Sequence, residues 1–479
     1  MRRATLAGAA ALLLAGPTVL AFFSGGFFAE PRIVAALVAW LGVLVLVAAG
    51  GAPLPRSAPG WLALVGLALL TAWTALSITW APLRGPATEY VERLLLYLGA
   101  FLVAIAVGRL ALVARALEPA LAAGIAIVIG YGLSGRLLPG VIHLAHSVHA
   151  GGRLEQPITY WNSEGALAAV GLVLCARLAG DAGRPRAMRL VAAAATAALG
   201  AGIYLSYSRG AIAAAAVGLV VLVAAVPLRP QLRACAVAAV AGVVASACAA
   251  AFPGVASLHG GLGARERDGA IFFAILVLIS AASALVMNRL MSAERAEERP
   301  LPGARRRLGI AAAVVGLVLA GLVVGGLQEK VSAADLSRAN PSRLTTVSSN
   351  RYEYWRIAGR AFAHNAFKGL GAAGFRTYWL RERPIKESVQ NVHSLELEMA
   401  AELGLVGLLL FSATIGGVGW AARRALQADA ALTAGWMAAA LVWLLHASID
   451  WDWELPAVTL PAVILAGALV ARSEGAPEA

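Results

Sequence analysis

Arg209 is the first residue whose type and position suggest chemistry. It lies in Tyr207-Ser208-Arg209-Gly210, a tight link between two apolar runs. An arginine at the end of such a run is usually a snorkelling anchor. A guanidinium, however, donates two parallel charge-assisted hydrogen bonds that suit phosphate. We therefore predict that Arg209 contacts an anion, with the anchoring role as the alternative.

A second arginine, Arg351, opens an amphipathic segment in which Asn and Ser precede a Glu, a pattern that predicts a helix start. At about 100° per residue, one stripe of this helix carries Arg351, Trp355, Ala358 and Phe362. Arg356 and Arg360 fall on the opposite side. We predict that Arg351 binds a ligand and that Arg356 and Arg360 make weaker substrate contacts. The alternative is that all three lie on a solvated face.

His393 follows Asn391 and leads into a late apolar run. On a helix that continues through this run, it shares a stripe with Leu397, Ala400, Gly404 and Gly407. A histidine near a helix N-terminus feels the positive end of the dipole, which favours the neutral imidazole that a general base requires. We predict a general base, with hydrogen bonding between helices as the alternative. Glu402 would lie on the opposite side of a continuous helix and is expected to cap or pair elsewhere.

Three further patterns are weaker. The G-x-G-x-x-G within 368–375 follows no strand, so a tight glycine turn is expected rather than a dinucleotide site. No Cys or clustered carboxylate accompanies the triplet of His143, His146 and His149, so a metal site is not predicted. The acidic link could hold an arginine, contact an acceptor or be solvated; its residues are Asp450, Asp452 and Glu454.

The composition defines the elements that must position these side chains. Of 479 residues, 60% are hydrophobic and 14% are charged. Many apolar runs are about twenty residues long, enough to cross the hydrocarbon core of a bilayer as helices. The formal charge is +13, but most basic residues lie in short loops between the runs, so nucleic acid is not an expected partner. The sequence predicts an all-α polytopic membrane protein.

About twelve to fourteen spans are expected, the first of them a retained N-terminal run. We expect N-terminal helices in 1–132, central helices in 133–327 with an external loop at 133–162, a large external loop at 328–402, and C-terminal helices with a short cytoplasmic tail in 403–479. Arginine clusters in the short loops place both termini in the cytoplasm. The three cysteines lie inside apolar runs and offer no disulfide framework.

The motifs, taken in order, resemble those of the O-antigen ligase and polymerase family. The matching pieces are Tyr207-Ser208-Arg209-Gly210, Arg351 with Trp355, Gly369-Leu370-Gly371-Ala372-Ala373-Gly374-Phe375, His393 with Glu402-Leu403-Gly404-Leu405-Val406-Gly407, and Trp161-Asn162 earlier in the chain. The resemblance covers roughly residues 150–470. One departure is Ser394, where the family often has Asn after the histidine.

The resemblance implies a polyprenyl-diphosphate-linked glycan donor at the periplasmic face of the bacterial inner membrane. It implies that Arg209 and Arg351 bind the donor diphosphate and that His393 activates the acceptor hydroxyl. The transfer would invert the anomeric centre and use no cofactor and no metal. We expect further substrate contacts from Arg153, Asn162, Arg356, Arg360, Asn391 and Glu402.

Several alternatives remain open from the sequence. The acceptor could be lipid A-core in a ligase, a second lipid-linked repeat unit in a polymerase, or a protein in an oligosaccharyltransferase. A small-anion transporter of the bicarbonate type is a rival, although it predicts ionisable groups or broken helices at mid-membrane. A flippase-like scaffold without chemistry is another. The expected partners are the lipid-linked donor, the acceptor and the lipid bilayer, without nucleic acid.

Overall fold

A computed structural model describes residues 2–293 and 350–475, and every regular element in these residues is a helix. The α-helices are α1 Arg2–Ala21, α2 Ala29–Ala48, α3 Ala58–Ser77, α4 Arg84–Gly108, α5 Ala111–Leu137, α6 Trp161–Gly180, α7 Arg186–Leu205, α8 Arg209–Ala225, α9 Arg229–Ala250, α10 Pro253–Ala256, α11 Leu262–Ala293, α12 Arg351–His364, α13 Phe375–Glu382, α14 Leu395–Ala447 and α15 Pro456–Ser473. The end of the expected central-helix segment 133–327 and the start of the expected loop at 328–402 lie outside the described residues.

Ten of the described helices are long and apolar enough to cross a membrane, and α1 and α8 contain shorter apolar segments. The 53-residue α14 is not continuous, because its backbone is non-helical at Gly404 and at Asp429. The prediction of an all-α polytopic membrane protein is confirmed. The prediction that one continuous helix runs from His393 through Gly407 is wrong.

Residues 2–115, 350–429 and 444–475 form the first of two compact units. In this unit α4 packs against α2, α3 and α15, and α1 packs against α15. Small residues permit the close approaches: a Cβ on Gly467 of α15 would lie 2.6 Å from Ala104 Cβ on α4. Such small-residue contacts are typical of helices packed within a membrane.

Residues 116–293 and 430–443 form the second unit. Its centre is α6, which is almost completely buried and packs against α7, α8 and α9. A Cβ on Gly200 of α7 would lie 2.2 Å from Gly242 Cα on α9, so this crossing requires glycine.

The loops of the first unit gather at one end of its helices. Ala372 N–H donates to Ser77 Oγ at the end of α3 (3.0 Å), and Asn391 donates to Tyr90 Oη near the start of α4 (3.4 Å). At the opposite end Arg109 pairs with Glu474. The end that carries residues 365–394 and 448–455 is therefore where the chemistry-bearing side chains of this unit lie.

Candidate functional site

A small hydrophobic core organises residues 350–394. Tyr354 and Ile357 on α12 pack with Phe375 and Trp379 on α13, and Ala401 of α14 belongs to the same cluster. The rings of Tyr354 and Trp379 meet edge to face at 5.0 Å. The Trp379 side chain is fully buried, and its indole N–H donates to Glu387 O (2.9 Å). This packing holds α12 in place against the start of α14.

The glycine-rich turn follows the predicted form and is held by Glu402. Gly369 and Gly371 adopt φ of 69° and 86°, which favour glycine. The two carboxylate oxygens of Glu402 accept from the backbone N–H groups of Ala373 (2.8 Å) and Phe375 (3.0 Å) at the start of α13. A carboxylate is favourable at the positive end of a helix. Glu402 therefore caps α13, in agreement with the expectation that it caps or pairs away from His393. Its predicted substrate contact stays a prediction.

Gly404 breaks α14 immediately after this turn. Its φ of 68° and ψ of −163° lie in a region that is essentially restricted to glycine. A Cβ there would also lie 2.3 Å from Phe367 O. The break lets the turn at 366–371 lie against the α14 backbone, where Leu405 N–H donates to Ala366 O (2.7 Å).

The variant Gly404→Ala should lower stability by about 1–3 kcal/mol or more, because alanine is strained in this backbone conformation. The measurement is the midpoint of thermal unfolding of the detergent-solubilised protein. Gly416→Ala is the matched control in the same helix, because a Cβ at Gly416 meets nothing within 4 Å. Equal midpoints for the two variants would contradict the assignment of the break to Gly404.

His393 lies in the turn before α14, not on the helix. Its φ is 58°, Ser394 is the N-cap residue and α14 begins at Leu395. The predicted stripe with Leu397, Ala400, Gly404 and Gly407 is therefore wrong, because a left-handed residue cannot continue a right-handed helix. Backbone contacts hold the turn: Trp355 Nε1–H donates to His393 O (3.1 Å) and Val392 N–H to the buried Glu398 (3.4 Å).

The half-buried imidazole of His393 has one nitrogen already in use. Its Nδ1 lies 3.1 Å from Asn391 O. Since a carbonyl oxygen only accepts, Nδ1 carries the proton in the neutral ring and Nε2 keeps its lone pair. Burial lowers the pKa of His393; Asp450 opposes this shift and Arg351 adds to it. The ring is therefore neutral over a wider pH range than a free histidine.

Arg351 is anchored by the link between α14 and α15. Its guanidinium donates to Ile449 O (2.6 Å) and pairs with the buried Asp450. Burial raises the pKa of Asp450, but the charges of Arg351, His393 and His446 lower it to a net value below the ordinary range. The carboxylate therefore stays ionised and fixes Arg351 close to His393.

The other two acids of this link are also buried and paired. Asp452 accepts from His446 Nδ1, and Glu454 pairs with Arg93 of α4. The sequence left a plain solvated link as one possibility, and that possibility is wrong. The link instead holds arginines in place, which was another of the alternatives that the sequence left open. The pairing follows from burial, because charged groups removed from water require a partner of opposite charge.

The two other arginines of α12 face solvent, as the helical pattern indicated. Arg356 and Arg360 are exposed, and Arg356 pairs with Glu353 one turn earlier (2.9 Å from Nε). Asn391 donates to Tyr90 Oη. Substrate contacts by Arg356, Arg360 and Asn391 remain predictions.

Arg209 belongs to the second unit and is the first residue of α8. Ser208 caps this helix by accepting from Ala211 N–H (3.2 Å), and Tyr207 takes a left-handed φ of 52°. Tyr207 Oη donates to Ala256 O (3.3 Å). The half-buried Arg209 therefore adds its charge to the positive end of a capped helix, an arrangement suited to an anion.

Arg153 and Asn162 are also in the second unit, and both are buried. Arg153 donates to Ala150 O (2.6 Å) and His149 O (2.8 Å), and its guanidinium lies 3.6 Å from the centroid of the Trp161 ring. Asn162 donates to Tyr160 Oη (2.8 Å). These contacts shape the segment before α6, and the predicted substrate contacts of both residues remain predictions.

No group of three or more His, Cys, Asp or Glu side chains in residues 2–293 and 350–475 could hold a metal ion. The spacing of His143, His146 and His149 therefore does not assemble such a group.

Sequence reasoning missed Glu398 and Tyr90. Both are buried beside the His393 turn, where they contact Val392 and Asn391. The available signal was the set of carboxylates Glu396, Glu398 and Glu402 at the start of a helix long enough to span a membrane, since carboxylates in such helices are rare and often functional.

The described helices and their spanning lengths define a multi-pass, all-helical membrane protein. The family model described as O-Antigen ligase matches residues 255–412, which include Arg351 and His393 but not Arg209. The family resemblance is thereby confirmed over that segment, and it supports glycan transfer of the O-antigen ligase type. A comparison with curated protein sequences gave no match.

Proposed function

We propose that the protein transfers a glycan from an undecaprenyl-diphosphate donor to an acceptor hydroxyl at the periplasmic face of the bacterial inner membrane. The single observation that carries the proposal is that a neutral imidazole lies close to an anchored guanidinium. His393 has its Nδ1 directed to a carbonyl, and Arg351 is fixed by Asp450 in the same cluster.

In the proposed reaction His393 Nε2 takes the proton of the acceptor hydroxyl. The acceptor oxygen then attacks the anomeric carbon opposite the diphosphate, and the bond from that carbon to the diphosphate oxygen breaks. The leaving diphosphate keeps the electron pair, and Arg351 and Arg209 stabilise its charge. Attack from the opposite side inverts the anomeric centre, and two guanidinium groups supply the electrostatic stabilisation without a metal.

The choice among a ligase, a polymerase and a protein oligosaccharyltransferase depends on the acceptor. The exposed face of α12, with Arg356 and Arg360, is proposed to meet the polar part of the donor or acceptor. Arg153, Asn162, Asn391 and Glu402 are proposed to contribute further contacts to the substrates.

Arg209→Ala tests the role of the second unit. We expect transfer from a purified lipid-linked donor in nanodiscs to fall by about 10²–10³-fold, since a group that stabilises charge in the transition state is lost. In cells the lipid-linked donor should accumulate while surface polymer disappears. The matched control is Arg229→Ala, because Arg229 is likewise the first residue of a helix. Transfer at the wild-type rate by Arg209→Ala would remove this residue from the mechanism.

A further inference from the structure

We infer that an apolar groove along α1, α2 and α4 holds the hydrocarbon tail of the lipid-linked donor. The occupant is named through the proposed function, which assigns the donor but leaves its tail without a site.

The groove has a volume of about 540 Å³, within the range of about 300–1,000 Å³ for small-molecule sites. Its lining is almost entirely aliphatic, and Glu30, at the start of α2, is the one ionisable residue that lines it. Gly16 of α1 also lines the groove, and a Cβ added there would meet nothing within 4 Å. Gly16 therefore faces the open space of the groove.

One end of the groove lies at the turn between α1 and α2, from which ring contacts lead to His393. Phe23 and Glu30 line this end, and Phe27 lies between them in the chain. The Phe27 ring meets Trp451 edge to face at 5.8 Å, and Trp451 lies 6.4 Å from the His393 ring. All of these residues belong to the first unit. A chain that leaves the groove at this end is therefore on the same side of the first unit as the proposed general base.

The chemistry and size of the groove favour a single hydrocarbon chain. A glycan or an acceptor hydroxyl would lose its hydrogen bonds to water on entering an aliphatic lining. An undecaprenyl chain is one hydrocarbon chain joined directly to the diphosphate, so its first segment fits the groove while the diphosphate stays outside it.

Gly16→Phe fills the groove and tests the inference. We expect the KM for an undecaprenyl-linked donor to rise by about tenfold or more, because the phenyl ring excludes the tail from the groove and removes its packing contacts with the lining, while kcat changes little. The KM for a donor analogue with a prenyl chain too short to enter the groove should stay the same. Gly8→Phe is the control, because Gly8 is on the same helix, meets nothing within 4 Å and does not line the groove. Equal KM values for the two variants with the long donor would overturn the inference.

Photolabelling of the wild-type protein gives an independent test. Undecaprenyl phosphate with a diazirine in its tail should label α1 and α2, and unlabelled undecaprenyl phosphate should compete. Labelling of the same helices by diazirine-bearing phosphatidylglycerol that undecaprenyl phosphate does not displace would show an ordinary bilayer lipid and overturn the inference. If the wild-type protein transferred no lipid-linked glycan, the proposed function would fail, but the labelling would still decide whether the groove binds a prenyl chain.

Discussion

Replacing His393 with alanine should reduce the kcat/KM of glycan transfer by at least about a hundredfold, the usual contribution of a positioned general base. The variant removes the only atom proposed to accept the acceptor proton, Nε2, while Trp355 can still donate to the backbone carbonyl at position 393. The measurement is transfer from a purified lipid-linked donor to acceptor in nanodiscs.

His364→Ala is the matched control. His364 lies in the same 350–394 region and is exposed. Its Nδ1 forms a hydrogen bond with Tyr378 Oη (3.1 Å). We expect this variant to keep wild-type activity. Retention of wild-type transfer by His393→Ala, with the protein folded, would end the proposal of a general base.

The pH dependence provides a separate check on His393. A protonated imidazole cannot accept the acceptor proton, so activity should fall as the pH decreases through the pKa of His393. That pKa is lowered, chiefly by burial, so the acid limb of the kcat/KM profile should lie below about pH 6.5, the ordinary value for histidine. Asp450 raises the pKa of His393, so Asp450→Asn should move the limb to still lower pH. A limb above about pH 6.5 in the wild-type protein would contradict the assignment.

Replacing Arg351 should reduce glycan transfer nearly as much as replacing His393. Arg351→Gln removes the charge proposed to stabilise the leaving diphosphate, and we expect transfer to fall by about 10²–10³-fold. The same change leaves Asp450 buried without its cation, and such a loss destabilises by about 3–5 kcal/mol. A drop in activity alone would therefore not distinguish substrate binding from misfolding.

The double variant Arg351→Gln/Asp450→Asn separates the two effects. It removes both charges of the buried pair, so the unfolding midpoint should return toward the wild-type value while transfer stays low. Arg356→Gln, which changes an exposed arginine on the same helix, should keep more activity than either variant of Arg351. Recovery of transfer in the double variant would show that Arg351 acts only by supporting the fold.

Much of the fold could be predicted from the sequence. An apolar run of about twenty residues satisfies its own backbone hydrogen bonds inside a bilayer by forming a helix. The glycine turn and the start of α12 could also be predicted, because each depends only on residues that are neighbours in the sequence. The placement of His393 on a helical stripe failed, because the pattern assumed regular dihedrals through Ser394 and Gly404. A left-handed His393 and a non-helical Gly404 are stabilised by contacts with Trp355 and Phe367, which are distant in sequence.

The sequence by itself determined that the chain spans a membrane as helices, and it singled out Arg209, Arg351 and His393 by residue type and position. The tertiary structure decided which partners give these side chains their chemical state. Asp450 is 99 residues from Arg351, yet it fixes the guanidinium, and the acidic link that could have been solvated is buried. Local pattern specifies hydrogen bonding along one helix, whereas burial and charge pairing depend on segments that meet only after folding.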